Sequence, residues 1–138
     1  MRFGLVFVTL TGCLGSPVVG DWEISDFDRF EIDNTAIDTS NEDGDLTFDS
    51  DDEADLEFDF VAGNFGNIDF DLQGDWESRG GREYRLDLDG DLQQAGYAAF
   101  GVDGPWDCQL ENDTLDCEGE LESADGQQYT FEIVFEAR

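Results

Sequence analysis

The sequence contains no lysine and no histidine, and only six arginines balance 36 aspartates and glutamates, which gives a net charge of −30 at pH 7. Because phosphate backbones are bound through clustered Lys and Arg, this charge argues against nucleic acid as a partner. The lack of histidine removes the commonest general base and transition-metal ligand. We find no nucleophile elbow, Ser–His or Cys–His pair, or phosphate loop. We therefore expect a protein that is not an enzyme, with no catalytic residues, cofactor or metal centre.

The acidic residues are densest between positions 26 and 55, and this segment is predicted to be a solvated acidic loop. Carboxylates are the ligands that calcium prefers, but the order of residues required in an EF-hand is absent. We expect weak divalent-cation association and no dedicated site. The lysine-free, acid-rich composition also resembles that of proteins from salt-loving organisms or from high-GC genomes, and it predicts a fold that added salt stabilises.

The first residues have the pattern of an export signal. Met1 and Arg2 precede an apolar run at positions 3–10 that is too short to span a bilayer. The run ends in Leu10-Thr11-Gly12-Cys13, which resembles the bacterial lipobox.

That resemblance implies a signal peptide at 1–12, a lipid on Cys13, a short tether at 13–17 and an acidic β domain at 18–138. The protein would be exported and anchored through the lipid in the cell envelope, at the outer membrane or cell surface. The alternative is a buried first strand with a core cysteine.

Alternating apolar and acidic residues dominate the chain from position 46 onward, with almost no helical spacing. One face of each strand is therefore predicted to be core and the other to be carboxylate and water. The strands are expected near 18–25, 46–48, 55–62, 67–77, 82–92, 106–111, 114–122 and 129–137. Short connections imply an antiparallel meander of about eight strands, which would close as a small up-and-down barrel and so remove its edges. An open sheet or a sandwich is the alternative.

Facing pairs in the hairpins follow from the alternation, because inward residues must lie opposite inward residues. The predicted pairs are Trp76 with Tyr84, Leu121 with Tyr129, Gly90 with Phe70 and Gly119 with Phe131.

A two-residue turn at Asn112-Asp113 places Cys108 opposite Cys117 at a non-hydrogen-bonded pair, where the Cα separation of about 4.5 Å suits a disulfide. We expect that bridge in an oxidising compartment, and two reduced core thiols are the alternative.

The tripeptide Gly20-Asp21-Trp22 resembles the opening of lipocalins and of lipocalin-like bacterial lipoproteins, in which the Trp plugs the closed end of the barrel. In that family an Arg near the end of the barrel packs over this Trp, and the resemblance assigns that place to Arg138. A generic β domain with core tryptophans is the alternative.

A long connection at 93–104 includes the one uncharged apolar stretch of the chain after the leader, where Tyr97 and Phe100 are expected to line the mouth of a ligand cavity. An extra short strand or a plug on the core is the alternative.

The sequence therefore predicts a monomeric, non-enzymatic envelope lipoprotein that binds a small apolar ligand, with Trp22, Tyr97 and Phe100 as candidate ligand-binding residues. The alternative is a structural or protein-interaction lipoprotein with a filled core and no ligand. A carboxylate-based hydrolase is the distant third reading.

Overall fold

The computed structural model describes residues 17–138, and all of its long elements are β-strands. The strands are β1 Gly20–Ile32, β2 Thr35–Ala36, β3 Thr39–Phe48, β4 Glu53–Ala62, β5 Asn67–Gly80, β6 Glu83–Gln94, β7 Phe100–Glu111, β8 Thr114–Ser123 and β9 Gln128–Ala137. A single 3₁₀ turn, Gly63–Phe65, joins β4 to β5. The predicted signal peptide and most of the tether lie outside the described residues.

The strands form a closed antiparallel barrel. Each strand from β3 to β8 pairs with the next along the chain, and β1 pairs with β3 on one side and β9 on the other. Eight strands therefore make the wall, while β2 lies outside it and pairs only with the end of β1. The predicted all-β, up-and-down closed barrel is confirmed, and the structure is neither an open sheet nor a sandwich.

The two seams of β1 differ in length. Its ladder with β9 runs from Trp22 to Ile32, whereas its ladder with β3 covers only Gly20 to Glu23. Beyond that point β1 has no pairing with β3, and its last residues, Glu31 and Ile32, pair with β2. The wall is consequently held by a full ladder on one side of β1 and by a short one on the other.

The alternation along each strand separates core from solvent as predicted. Inward positions of β4 to β9 carry Phe, Leu, Ile, Trp, Tyr and the two cysteines, which are almost fully buried, and outward positions carry mostly carboxylates. Burial of these side chains is the main stabilising contribution, at roughly 25 cal/mol per Å² of apolar surface.

Glycines on the inward side let the strands curve into a barrel. A Cβ at Gly74, Gly90 or Gly104 would lie 1.8, 2.0 or 1.9 Å from a carbonyl oxygen of a neighbouring strand. No side chain fits such a close approach between backbones, so these positions mark the bends at which a small barrel turns its corners.

The acidic segment at 26–55 is not a loop, and this prediction was wrong. It contains the second half of β1, all of β2 and β3, and the turn into β4. Register shifts lie between Ile24 and Asp26, between Phe27 and Arg29, and within β3. Each bulge inserts a residue and breaks the period of two, so Phe27 and Phe30 both pack on the core although they are three residues apart.

The hairpin registers are partly as predicted. Leu121 lies opposite Tyr129 and Gly119 opposite Phe131. In the β5–β6 hairpin, however, Tyr84 faces Ser78, which shifts the register by two residues. Trp76 therefore faces Leu86, and Gly90 faces Leu72 where Phe70 was expected. The shift arises from a bulge before Gly80, and it leaves the inward set unchanged because it is an even number.

The connection at 93–104 is much shorter than predicted. Strand β6 continues to Gln94 and β7 begins at Phe100, so only five residues join them, and the alternative of additional strand in this region is the better description. Glycine and proline residues in the first half of β7 made this part of the strand difficult to recognise from the sequence. Pro105 has no N–H to donate, and the β7–β8 ladder lacks its pairs at Gly104 and Pro105.

Candidate functional site

The barrel has two unlike ends. We call the end where the chain enters at Val18 and leaves after β9 the tether end, since the predicted lipid-bearing segment precedes it. The opposite end carries the β4–β5, β6–β7 and β8–β9 connections, and we call it the distal end. The structure places Trp22 at the tether end and both Tyr97 and Phe100 at the distal end, so the three candidate ligand-binding residues do not form one site.

Aromatic side chains close the tether end. The indole Nε1 of Trp22 donates to the carbonyl oxygen of Val18 at 2.9 Å, and both residues are buried. The Nε1 of Trp76 donates to the carbonyl oxygen of Asp49 at 2.9 Å, and its ring centroid lies 5.5 Å from that of Phe48. Both indole N–H groups are thus satisfied by backbone next to the turns.

Arg138 directly follows Ala137, which pairs with Trp22, but its side chain lies on the outer surface of the barrel. Its guanidinium bonds Asp45 and lies 3.8 Å from Glu23. The hydrogen bond with Asp45, together with the charge of that carboxylate, raises the pKa of Arg138 above its ordinary value. The indole of Trp22 is in the interior, so the guanidinium and the indole lie on opposite faces of the sheet.

The middle of the barrel is filled by rings. Phe58 and Phe70 stack with centroids 4.8 Å apart, and Trp106 stacks on Phe131 at 5.3 Å. Phe131 also makes edge contacts with Phe58 and Phe70 at 5.4 and 5.1 Å. Within residues 17–138 the buried Trp106 indole N–H has no hydrogen-bond acceptor, which is an exception to the usual pairing of buried polar groups. These separations are those of a packed core.

A glycine makes room for the central stack. Gly119 lies opposite Trp106 on β7 and opposite Phe131 on β9. A Cβ at this position would lie 2.2 Å from the Trp106 ring. The two rings therefore meet over the glycine, and the pairing of Gly119 with Phe131 predicted from the sequence is one half of this arrangement.

Five open depressions of the structure are lined mainly by outward-facing polar and charged residues. Their volumes run from 200 to 570 Å³. The largest lies over β6, β7 and β8 and is lined by Asp89, Asp91, Asp103 and Glu122 among others. Such acidic, open depressions lack the apolar lining that small-molecule sites have.

Carboxylates face one another across the strands of the outer surface. Asp43, Asp59 and Asp69 are directly opposite in β3, β4 and β5. Partial burial of Asp59, followed by the charges of Asp69 and Asp43, raises its pKa above 3.8. In the described part of the chain no group of three or more acids or cysteines is arranged to hold a metal ion. Weak divalent-cation association remains a prediction.

The predicted disulfide is present. Cys108 and Cys117 are bonded across β7 and β8 with Cα atoms 4.1 Å apart, and both face the core. The Asn112-Asp113 turn between them is also as predicted. The bridge is inaccessible to solvent and is therefore structural in character.

Three large apolar side chains among residues 17–138 are exposed, and all three lie at the distal end. Phe65 is 42% exposed, Tyr97 67% and Phe100 37%. Gln94 Nε2 donates to the carbonyl oxygen of Phe65 at 3.0 Å, which joins the β4–β5 connection to the end of β6. We call these three residues the aromatic rim. The sequence pointed to Tyr97 and Phe100 but missed Phe65, although the uncharged stretch at 60–68 could have indicated it.

Cys13, the predicted site of lipid attachment, lies outside the described residues. Among residues 17–138 no helix has the length and apolar character needed to cross a membrane. Comparison with protein-family models, with curated proteins and with solved structures found no match.

Proposed function

We propose that this chain is an exported, lipid-anchored envelope protein whose barrel is solid and acts through its surface, as a structural or interaction module that is not an enzyme. The supporting observation is the filled interior. The stacked and edge-on rings around Phe131 occupy the volume in which a lipocalin-like carrier would hold an apolar ligand. Ligand cavities for drug-sized molecules measure about 300–1,000 Å³ and are lined by apolar groups.

Support for a location in the cell envelope comes from the sequence and from the position at which the barrel begins. The lipobox-like Leu10-Thr11-Gly12-Cys13 precedes a segment that meets the barrel at Val18. Four residues between Cys13 and Val18 reach about 13–14 Å, so the tether end would sit close to the bilayer. The disulfide fits an oxidising compartment outside the cytosol.

Mass spectrometry of protein purified from membranes tests the proposed lipid anchor and envelope location. We expect a mature chain that begins at Cys13 with acyl chains attached, and a mass consistent with one disulfide. A Cys13→Ser variant should lose both the lipid and the membrane association. A Cys108→Ala/Cys117→Ala variant is the matched control, because it should keep the lipid. An unacylated wild-type chain recovered from the cytosol would contradict the proposal.

A binding assay with a fluorescent fatty acid tests whether the interior of the barrel is filled. We expect no binding of the probe at micromolar concentration, because binding would require several rings to leave the core. A lipocalin that carries fatty acids serves as the positive control. Saturable binding in one-to-one ratio would favour the carrier alternative, in which the barrel encloses a small apolar ligand.

A further inference from the structure

The aromatic rim stands out because it is the uncharged region of a highly acidic surface. Two stretches without a charged residue, 60–68 and 92–102, supply it and the backbone around it. They are joined by the Gln94 side-chain bond to Phe65 and by the backbone bond from Ala95 to Asn67 at 2.9 Å. These bonds hold the two stretches that carry the rim next to each other at the distal end.

The position of the rim is also informative. Phe100 pairs with Leu92 at the last rungs of β6 and β7, at the end of the barrel opposite to Val18. If the chain is anchored as proposed above, the rim faces away from the bilayer. Single exposed apolar side chains are common on protein surfaces, but several of them at one end of a barrel mark a candidate interaction site.

The size of the patch limits the partner. With exposed fractions of 42%, 67% and 37%, the three side chains present about 300 Å². A stable protein–protein interface buries about 800 Å² on each side. The rim is too small for a stable dimer of this chain, and the net charge of −30 opposes the approach of a second copy.

We propose that the rim binds neutral polysaccharide. The C–H face of a sugar ring packs on an aromatic face, and the exposed amides of Asn64 and Gln93 at its border offer donors and acceptors for hydroxyl groups. A chain without charge meets no repulsion from the carboxylates, whereas nucleic acid and anionic glycans do. This inference rests on the proposed function and adds a partner to it.

Affinity electrophoresis in native gels that contain hydroxyethyl cellulose, xylan, galactomannan or dextran tests the inference. The full-length protein migrates rapidly toward the anode because of its charge, so retardation by an uncharged polymer is easily measured. We expect retardation by at least one of the four polymers and none by sodium alginate, which is anionic.

Variants assign the retardation to the rim. Tyr97→Ala should weaken the interaction about tenfold, whereas Tyr97→Phe should preserve it because the ring remains. Gln109→Ala, an exposed change toward the other end of β7, is the matched control and should bind as the wild type does. Thermal melting checks that the variants fold; their changes are at exposed positions.

Three outcomes would overturn the inference: no retardation by any neutral polymer, equal retardation of wild type and Tyr97→Ala, or concentration-dependent dimers in sedimentation that Tyr97→Ala dissociates. None of these would affect the lipid on Cys13 or the empty result expected with the fatty-acid probe, so failure of the rim and failure of the proposed function are distinguishable.

Discussion

Removing one carboxylate from the middle of an acidic row should stabilise the protein. Asp59 lies directly between Asp43 and Asp69 on neighbouring strands, and like charges in this arrangement repel. Partial burial is the first cause of the raised pKa of Asp59, and the charges of Asp69 and Asp43 add to it. Because the pKa of Asp59 in the folded state is above 3.8, the contribution of this residue to stability is fully present below pH 3.8 and is lost as the pH rises through the folded pKa. Asp59→Asn abolishes this loss at pH 7.

The size of the effect follows from the geometry of opposed residues. Their Cβ atoms are about 5 Å apart, which puts the two carboxylates at about 6 Å. Two unit charges at that distance repel by about 0.7 kcal/mol in water, so two pairs contribute about 1.4 kcal/mol before screening. With a Debye length of about 10 Å in 0.1 M salt and 3 Å in 1 M salt, about 0.8 and 0.2 kcal/mol remain.

Urea unfolding followed by tryptophan fluorescence measures this free energy. The control is Asp55→Asn on the same strand, because Asp55 faces Thr47 and Gln73, which are uncharged. We expect Asp59→Asn to raise the free energy of unfolding in 0.1 M salt by clearly more than the control, and the two variants to converge in 1 M salt. Equal effects of both variants, or an advantage of Asp59→Asn that persists in 1 M salt, would refute the electrostatic explanation.

Three further predictions concern the contribution of core residues to stability. Gly119→Ala should destabilise the protein by about 1–3 kcal/mol, because its Cβ would overlap the Trp106 ring, and denaturant unfolding would show it. Cys108→Ala/Cys117→Ala should lose about 2.5 kcal/mol by the chain-entropy estimate for a short loop, so an unchanged unfolding midpoint would contradict it. Burial raises the pKa of Tyr129 to about 12, so stability is full below pH 10 and should fall as the pH rises to 12. Tyr129→Phe should flatten that fall in a pH series of thermal melts.

Parity explains which parts of the fold the sequence could predict. Along β4, β8 and β9 the alternation is unbroken, and there both the strands and the facing of Leu121 with Tyr129 are as expected. An error of two residues in the register leaves the same side chains facing inward. The β5–β6 hairpin therefore has the predicted core face, although Tyr84 lies opposite Ser78. Local chemistry was sufficient for the Cys108–Cys117 bridge, because a two-residue turn fixes its register.

Bulges and special residues account for the parts that could not be predicted. A bulge adds one residue to one strand, so the period of two changes phase inside β1 and hides the core positions of Phe27 and Phe30. Pro105 lies within β7, although proline normally argues against a wall strand. The sequence indicated two of the three rim residues and missed Phe65, because nothing in it shows that the connection containing Phe65 meets the end of β6.

The short ladder between β1 and β3 gives the wall a line of weakness. Hydrogen bonds hold this junction only from Gly20 to Glu23, while every other junction in the wall is paired over a longer span. Proteins open first where such pairing is sparse. We expect the barrel to open locally at the junction of β1 and β3 while β1 stays paired with β9. Such an opening would expose the Phe27 ring, which packs against the core from β1, to water.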